Sequence, residues 1–317
     1  MRIVFMGTPQ FAVASLKILV ENKFNVVGVI TSPDKPAGRG QQVQQSAVKQ
    51  FALQHNLKVL QPSNLKDETF LQELKALQAD IQIVVAFRML PESVWNMPPL
   101  GTYNLHASLL PQYRGAAPIN WAIINGEKET GITTFKLQHE IDTGNILMQQ
   151  KIAITPEMNA GQLHDILMQK GAELMLQSVK KLQQGEIVLT EQNKLLANQE
   201  VKHAPKIFKE NCKINWDANL DAIYNLIRGL SPYPCAWTEL CMSDDKKIAF
   251  KIYQAKQEEV AHNLSAGQIK TDNKTFLKIA AKAGFIDVTE LQMAGKKKLL
   301  IAEFLKGFSF TENYFFN

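Results

Sequence analysis

Short apolar runs alternate with segments of helical spacing along residues 2–124, and this alternation limits the possible folds more than any other feature of the sequence. Periodicity predicts strands and, between or after them, helices. The predicted strands are 2–6, 25–31, 59–61, 81–87 and 102–106, and the predicted helices are 46–54, 68–77 and 118–124. Such alternation favours a parallel sheet, and runs as apolar as 83–87 are typical of strands buried on both faces. We therefore predict an α/β fold with a doubly wound, mostly parallel sheet.

A second, smaller domain is predicted near the end of the chain. A long helix predicted at 161–182 is followed by polar residues without periodicity, a pattern typical of a linker. Beyond the linker, a helix is predicted at 218–229 and short strands at 249–253, 267–269, 276–280 and 284–288. The sequence thus predicts a Rossmann-like domain at 1–184, a linker at 185–207 and a small, OB-like β-barrel at 208–317.

Composition restricts the class of protein. No apolar run approaches the roughly 18 residues that span a bilayer, which favours a cytoplasmic protein without a membrane partner, and a monomer is the default expectation. Cys212, Cys235 and Cys241 lack the spacing of a disulfide framework or a zinc site, so we expect buried thiols and no metal. Residues 201–317 hold 17 Lys and Arg against 13 Asp and Glu, a balance that suggests an anionic partner.

Three polar side chains are candidates for catalysis. Asn104 and His106 lie two residues apart at the end of a predicted strand, so their side chains share one face. Asp142 lies in a turn between strands predicted at 133–137 and 146–150. An amide can stabilise an oxyanion, an imidazole can stabilise it or exchange a proton near neutral pH, and a carboxylate can orient the imidazole. Each residue alone is more often structural, but together they suit acyl transfer to an amine.

These residues resemble the formyltetrahydrofolate-dependent formyltransferases, in which Asn-x-His, a Ser-Leu-Leu-Pro loop and a later Asp form the active site. The resemblance implies catalysis by Asn104, His106 and Asp142, with 10-formyltetrahydrofolate as co-substrate and no metal. It also implies two loops beside the donor, formed by Ser108, Leu109, Leu110 and Pro111 and by Phe87, Arg88, Met89 and Leu90. The second loop is one residue shorter than in many relatives, and Glu140 stands where a small residue is common.

Further motifs bear on the acceptor. The segments 7–12, 32–40, 113–118, 204–207, 214–216 and 228–234 are similar to those of family members that formylate methionine on initiator tRNA. The resemblance therefore implies initiator methionyl-tRNA as the acceptor and a role in translation initiation. A formyltransferase acting on a sugar nucleotide or on glycinamide ribonucleotide is the alternative, since the catalytic trio does not name the acceptor.

Basic residues in two regions are candidates for tRNA contacts. The resemblance implies that the loop at 33–42, with Lys35 and Arg39, enters the acceptor-stem end of the tRNA. Lys296, Lys297 and Lys298 could track phosphates. The alternative interpretations are a surface loop without function for residues 33–42 and a solvated face for the three lysines. For the aromatic C-terminus, residues 308–316, we expect rings docked into the barrel and assign no function.

Two other classes of protein fit the sequence less well. A nicotinamide-dependent oxidoreductase would share the Rossmann-like start, but the segment Gly7-Thr8-Pro9-Gln10 lacks the G-x-G-x-x-G spacing that binds a pyrophosphate. A non-catalytic RNA-binding protein would explain the basic second domain but not the convergence of Asn104, His106 and Asp142.

Overall fold

A computed structural model describes residues 1–37, 42–196, 200–242 and 246–317 of the chain. The strands, in chain order, are β1 Arg2–Gly7, β2 Asn25–Ile30, β3 Lys35–Ala37, β4 Gln42–Gln44, β5 Val59–Leu60, β6 Ile81–Val85, β7 Thr102–His106, β8 Arg114–Gly115, β9 Glu129–Lys136, β10 Ile146–Ala153, β11 His203–Ala204, β12 Ala236–Cys241, β13 Lys247–Glu259, β14 Ile269–Thr271, β15 Leu277–Ala281, β16 Gly284–Met293, β17 Leu299–Leu300 and β18 Phe315–Phe316. The helices are α1 Gln10–Glu21, α2 Ala47–Gln54, α3 Glu68–Ala76, α4 Glu92–Trp95, α5 Pro118–Ile124, α6 Ala160–Gln184, α7 Leu220–Leu230 and α8 Ile301–Phe304.

The chain divides into two compact units that are not contiguous in sequence. The first unit comprises Met1–Gly115, Thr130–Ala153 and His164–Ala204. The second comprises Ala116–Glu129, Ile154–Leu163 and Pro205–Asn317. Two short segments that precede the predicted linker therefore belong to the second unit, while most of the linker itself belongs to the first.

A seven-stranded sheet forms the centre of the first unit, in the order β10-β9-β7-β6-β1-β2-β5. The pairs β1–β2, β1–β6, β2–β5 and β6–β7 are parallel, and β9 runs antiparallel to β7. All five residues of β6 are buried, as expected for a strand covered on both faces. The predicted mostly parallel α/β sheet is confirmed.

Strand β7 places the candidate site, because its two faces differ in chemistry. Tyr103 and Leu105 are buried on one face, where Leu105 packs against Gly171 of α6. Asn104 and His106 lie on the opposite face, since side chains alternate along a strand. The parallel neighbour β6 ends close by, so the carboxyl ends of both strands meet at one edge of the sheet.

The second unit is built around an antiparallel sheet in the order β14-β15-β16-β13-β12-β18, with β17 paired to β16. Gln268, just before β14, forms a bridge to Phe315 of β18, so the two ends of the sheet meet. This closure gives the predicted barrel, which is confirmed. Within it, the strand predicted at 267–269 is wrong by two residues, because β14 pairs with β15 from Ile269 to Thr271.

The aromatic C-terminus packs into the barrel, as expected. Phe316 is 2% exposed, and its ring lies 5.5 Å from that of Phe250 in an edge-to-face contact. Phe310 is also buried and lies 6.1 Å from Phe316. Phe315, the neighbour of Phe316 on β18, points outward and is 46% exposed. The terminal rings therefore contribute to the barrel core.

The three cysteines differ in exposure. Cys212 and Cys235 are buried and Cys241 is half-buried, and all three are free thiols. Burial raises the pKa of the Cys235 thiol to about 12. The expectation of buried thiols therefore holds for two of the three.

Two further properties concern the described ranges as a whole. No helix within residues 1–37, 42–196, 200–242 and 246–317 is long and apolar enough to cross a membrane. Over the same ranges, no three His, Cys, Asp or Glu side chains are placed together as metal ligands.

Candidate active site

His106 is the last residue of β7 and is held by a backbone carbonyl. Its Nε2 atom lies 2.9 Å from the carbonyl oxygen of Tyr113. Because a carbonyl can only accept, Nε2 carries the proton of this hydrogen bond. The residue is only 6% exposed, so this bond fixes the plane of the ring. In the neutral imidazole, Nδ1 is then the atom with the free lone pair.

Asp142 faces the other nitrogen of the same ring. Its Oδ2 atom lies 3.8 Å from Nδ1 of His106 and accepts a hydrogen bond of 3.0 Å from the backbone N–H of Gly115. Both side chains are largely buried, with 7% of His106 and 13% of Asp142 exposed. Because both side chains are shielded from solvent, the carboxylate stabilises a positive charge on the imidazole more than it would in water.

The turn that carries Asp142 has an unusual backbone. Asp142 has a φ of 55°, in the left-handed region that Asp tolerates better than most residues. A Cβ atom at Gly144 would lie 1.8 Å from the carbonyl oxygen of Lys136, so only glycine fits there. The Asp-Thr-Gly turn is therefore specified by sterics as well as by chemistry.

Asn104 completes the group on the same face of β7. It is half-buried and lies in register between Val84 of β6 and Phe135 of β9. The structure thus brings His106 and Asp142 together directly and places Asn104 one strand repeat away, as expected from the spacing.

The loop after β7 is fastened by hydrogen bonds to its own backbone. The hydroxyl of Ser108 donates to the carbonyl of Gln112 at 2.6 Å, and the hydroxyl of Thr133 donates to the carbonyl of Ser108 at 2.7 Å. Gln149 donates to the carbonyl of Leu110 at 2.7 Å. The side chains of Ser108, Leu110 and Pro111 are buried, while Leu109 is half-buried. This loop can therefore offer a ligand backbone groups and Leu109.

The shortened loop after β6 has a different character. Arg88 donates to the carbonyls of Ser63, at 2.8 Å, and of Pro62, and its guanidinium lies 5.7 Å from the Phe87 ring centre. Met89 is 73% exposed, and Leu90 is buried. Arg88 thus braces the loop, and Met89 is its most accessible apolar group.

Comparison with known proteins decides the family. Residues 1–179 match the formyl transferase family, and residues 206–309 match the formyl transferase C-terminal domain. The chain belongs to the formyltransferase family. The first matched span ends before the predicted linker at 185–207, and the second begins at residue 206, within the last two residues of that linker.

Relatives within the formyltransferase family extend over nearly the whole chain. The methionyl-tRNA formyltransferase of Bacteroides fragilis is 54% identical over 314 residues, covering 99% of this chain and 97% of that protein. That of Parabacteroides distasonis is 56% identical over 316 residues, covering 99% and 98%. The likeness is therefore not confined to the catalytic trio.

Solved structures share the fold at lower identity. WlaRD, a sugar 3N-formyl transferase, superposes with a TM-score of 0.65 at 21% identity, covering 94% of this chain and 99% of that one. HypX from Aquifex aeolicus, solved in complex with tetrahydrofolic acid, gives a TM-score of 0.64 at 19% identity, covering 97% and 48%. At such identity the likeness concerns the fold.

One residue next to the site of this formyltransferase was missed by sequence reasoning. Gln192 is 2% exposed and lies in the segment interpreted as linker, yet its side chain hydrogen-bonds to the backbone of Asp142 and Gly144 and to Arg114. Nothing in the surrounding polar sequence distinguishes it. The sequence feature that could have pointed to Gln192 is Arg114, a residue of the motif 113–118 to which sequence analysis assigned no function and which hydrogen-bonds to Gln192.

The residues predicted to contact tRNA are exposed on the surface of the formyltransferase, for those that the structure describes. Lys35 is exposed on β3, which pairs with β4 as a small hairpin, whereas Arg39 lies outside the described residues. Lys296, Lys297 and Lys298 are exposed in the turn between β16 and β17. Lys298 lies 3.0 Å from a carboxylate oxygen of Glu290, so its charge is partly compensated.

Proposed function

We propose that this chain transfers the formyl group of 10-formyltetrahydrofolate to the α-amino group of methionine carried on initiator tRNA. The near full-length identity with methionyl-tRNA formyltransferases carries the proposal, and the acceptor follows from their name. The imidazole of His106, held between a carbonyl and a carboxylate, supplies the chemistry. A sugar nucleotide or glycinamide ribonucleotide as acceptor is not favoured, because the relatives at 54% and 56% identity are methionyl-tRNA formyltransferases, whereas two sugar formyltransferases of known structure are 21% and 20% identical.

The proposed catalytic residues act on the two charges that develop during transfer. As the amine nitrogen bonds to the formyl carbon, the electrons of the C=O bond move to oxygen, and the amide N–H of Asn104 donates to that oxyanion. Nδ1 of His106 takes the proton that the amine loses. The carboxylate of Asp142, 3.8 Å away, stabilises the resulting imidazolium. The charged ring in turn stabilises the oxyanion.

Collapse of the tetrahedral carbon completes the reaction. The C=O bond re-forms, the bond from the formyl carbon to the donor nitrogen breaks, and that nitrogen receives the proton from His106. The ring returns to the neutral form that donates from Nε2 to the carbonyl of Tyr113. These steps need no covalent bond to the protein.

The donor is proposed to lie between the loops 87–90 and 108–111. Both loops leave the carboxyl ends of adjacent strands, where ligands of doubly wound sheets bind. The half-buried Leu109 and exposed Met89 offer apolar contact, and the backbone of residues 108–111 offers polar groups. Such a mixture suits a flat ring system with polar edges.

The tRNA is proposed to contact both units. Lys35 and Arg39 of the segment 33–42 would meet the acceptor stem, and Lys296, Lys297 and Lys298 would meet phosphates. Under this proposal residues 1–184 carry catalysis, 185–207 form the linker, and 208–317 bind tRNA. We further propose that the protein acts as a monomer in the cytoplasm, where charged initiator tRNA is used.

Acceptor competition tests the proposal. Charged initiator methionyl-tRNA, elongator methionyl-tRNA, glycinamide ribonucleotide and an amino-sugar nucleotide are incubated separately with the protein and 10-formyltetrahydrofolate, and each is analysed by mass spectrometry. We expect a formyl mass on the initiator species and little on the others. Preferential formylation of either small acceptor would overturn the assignment of the acceptor and leave the catalytic trio in place.

A further inference from the structure

The side chain of Gln192 uses every hydrogen-bonding position that it has. Its Oε1 atom accepts from Nε and Nη2 of Arg114, at 3.0 and 2.7 Å. Its Nε2 atom donates to the carbonyls of Asp142 and Gly144, both at 2.8 Å. An amide has two acceptor lone pairs and two N–H donors, so none is left for water or substrate.

The chemistry of the four partners fixes the orientation of this amide. A guanidinium can only donate and a backbone carbonyl can only accept, so exchanging the oxygen and nitrogen of Gln192 would break all four bonds. Arg114 is itself partly buried: burial lowers the pKa of its guanidinium, and the carboxylates of Asp142 and Glu140 oppose that shift. The guanidinium stays charged and holds the amide by charge-assisted hydrogen bonds.

The two carbonyls that Gln192 binds are those of Asp142 itself and of Gly144, two residues further along the same turn. Asp142 adopts a left-handed backbone, with a φ of 55°, that costs free energy unless its surroundings enforce it. The direction of its carboxylate toward Nδ1 of His106 and the N–H of Gly115 depends on that backbone. Gln192 therefore fixes the backbone of the turn from Asp142 to Gly144, and its four hydrogen bonds include neither the Asp142 carboxylate nor the His106 ring.

We propose that Gln192, held by Arg114, is a positioning residue that sets the carboxylate of Asp142 against His106. The expected effect on kcat rests on the proposed function. The hydrogen bonds that hold the turn are independent of it. Because Gln192 belongs to the segment 185–207, that segment is part of the active-site scaffold as well as a connection in the chain.

A double-mutant cycle tests whether Gln192 acts through Asp142. We expect Gln192→Leu to lower kcat by about 10- to 100-fold, the cost of a carboxylate displaced by about an ångström. In an Asp142→Ala background the same substitution should have little further effect, because the group that it positions is gone. Losses that multiply in the double variant would overturn the proposal.

A matched control separates positioning from general loss of a buried amide. Gln82 is 1% exposed and accepts a hydrogen bond of 3.0 Å from the hydroxyl of Thr102, away from Asp142. Gln82→Leu is expected to lower thermal stability but to leave kcat of the folded enzyme within about two-fold. If Gln82→Leu lowered kcat as much as Gln192→Leu, the effect of Gln192 would be structural only.

A spectroscopic readout keeps the test independent of activity and of the proposed function. The ¹⁵N signals of the His106 ring, identified by their loss in His106→Ala, report the nearby carboxylate. Gln192→Leu should move these signals in the same direction as Asp142→Ala, and unchanged signals would overturn the positioning role. A wild-type protein that transfers no formyl group, but whose His106 signals respond to Gln192→Leu, would refute the proposed function alone.

Discussion

At the scale of single residues, the two ring nitrogens of His106 have different roles: one anchors the ring and the other is left for proton transfer. Nε2 of His106 is committed to the carbonyl of Tyr113, so only Nδ1 remains for the acceptor amine. Asp142 lies 3.8 Å from Nδ1, close enough to stabilise charge there but beyond a direct hydrogen bond. Nδ1 is therefore near the carboxylate without being bonded to it, and this arrangement suits a group that must receive a proton.

Removal of the side chain of either His106 or Asp142 should reduce turnover and spare binding. We expect His106→Ala and Asp142→Ala each to lower kcat by at least ~100-fold, since single electrostatic groups are typically worth roughly 10²–10³. Affinity for tRNA should stay near that of the unmodified protein. Steady-state kinetics and a filter-binding assay measure both quantities.

The control for these variants is a second His–Asp pair on the surface. Nδ1 of His164 lies 3.0 Å from an Oδ1 of Asp165, and the Asp165 side chain is 73% exposed. Asp165→Ala should leave kcat unaltered. Near-normal turnover in either site variant would refute the assigned roles.

The sequence was sufficient for residues whose type and spacing carry a chemical meaning. The alternation of β7 predicted that Asn104 and His106 share a face, and a turn carrying Asp142 was expected between two strands. Gln192 could not be predicted, because it meets Asp142 through a fold contact across 50 positions and its own neighbours are polar and irregular. A long-range side-chain contact of this kind leaves no periodic pattern.

At the scale of elements, tight turns and strand pairing hold the site and close the barrel. β18 pairs with β12, and Gln268 meets Phe315, so the last residues complete the sheet of the second unit. The sequence predicted strands that overlap β13, β14, β15 and β16 but not β12, where Leu240 is the one large apolar residue among three inward positions and the other two are Ala236 and Thr238. Strand prediction relies on apolar alternation, and β12 alternates in burial more than in hydrophobicity.

Two adjacent phenylalanines test the closure of the barrel. Phe316 is 2% exposed and Phe315 is 46% exposed on the same strand. Phe316→Ala should cost about 3–5 kcal/mol of the unfolding free energy, the usual loss for a buried ring, whereas Phe315→Ala should cost well under ~1 kcal/mol. Urea unfolding followed by tryptophan fluorescence compares them, and equal losses would contradict the placement of β18.

The Asp142 turn offers a second test at this scale. Gly144→Ala places a methyl group 1.8 Å from the carbonyl oxygen of Lys136, so the turn must shift and carry Asp142 with it. We expect kcat to fall by at least ~10-fold, because catalytic geometry tolerates little displacement. Gly307→Ala, where a Cβ atom meets nothing within 4 Å, is the matched control and should be silent.

At the scale of the whole molecule, charge is the property that bears on the nucleic acid. The chain has a formal net charge of +5, and exposed lysines occur on both units. If Lys296, Lys297 and Lys298 contact phosphates, binding releases counterions from the tRNA. Affinity should then fall as salt rises.

Salt dependence distinguishes phosphate contacts from a solvated surface. Alanine at Lys296, Lys297 and Lys298 should flatten the slope of log affinity against log salt by about one unit for each lysine that binds a phosphate. Alanine at Lys66, Lys75 and Lys180, exposed lysines of the first unit, changes the net charge equally and should leave the slope nearly unaltered. Equal slopes in the two triple variants would remove the turn between β16 and β17 from the tRNA-binding surface.

Direct transfer between the two substrates is the central claim, and isotope tracing measures it most directly. 10-Formyltetrahydrofolate labelled with ¹³C in the formyl group is mixed with the protein and charged initiator tRNA, and the aminoacyl end is released by nuclease for mass spectrometry. We expect the labelled carbon on the α-nitrogen of methionine, at a rate that falls with His106→Ala and Asp142→Ala. Methionine that stays unlabelled while the protein is folded and both substrates are intact would contradict the proposed function.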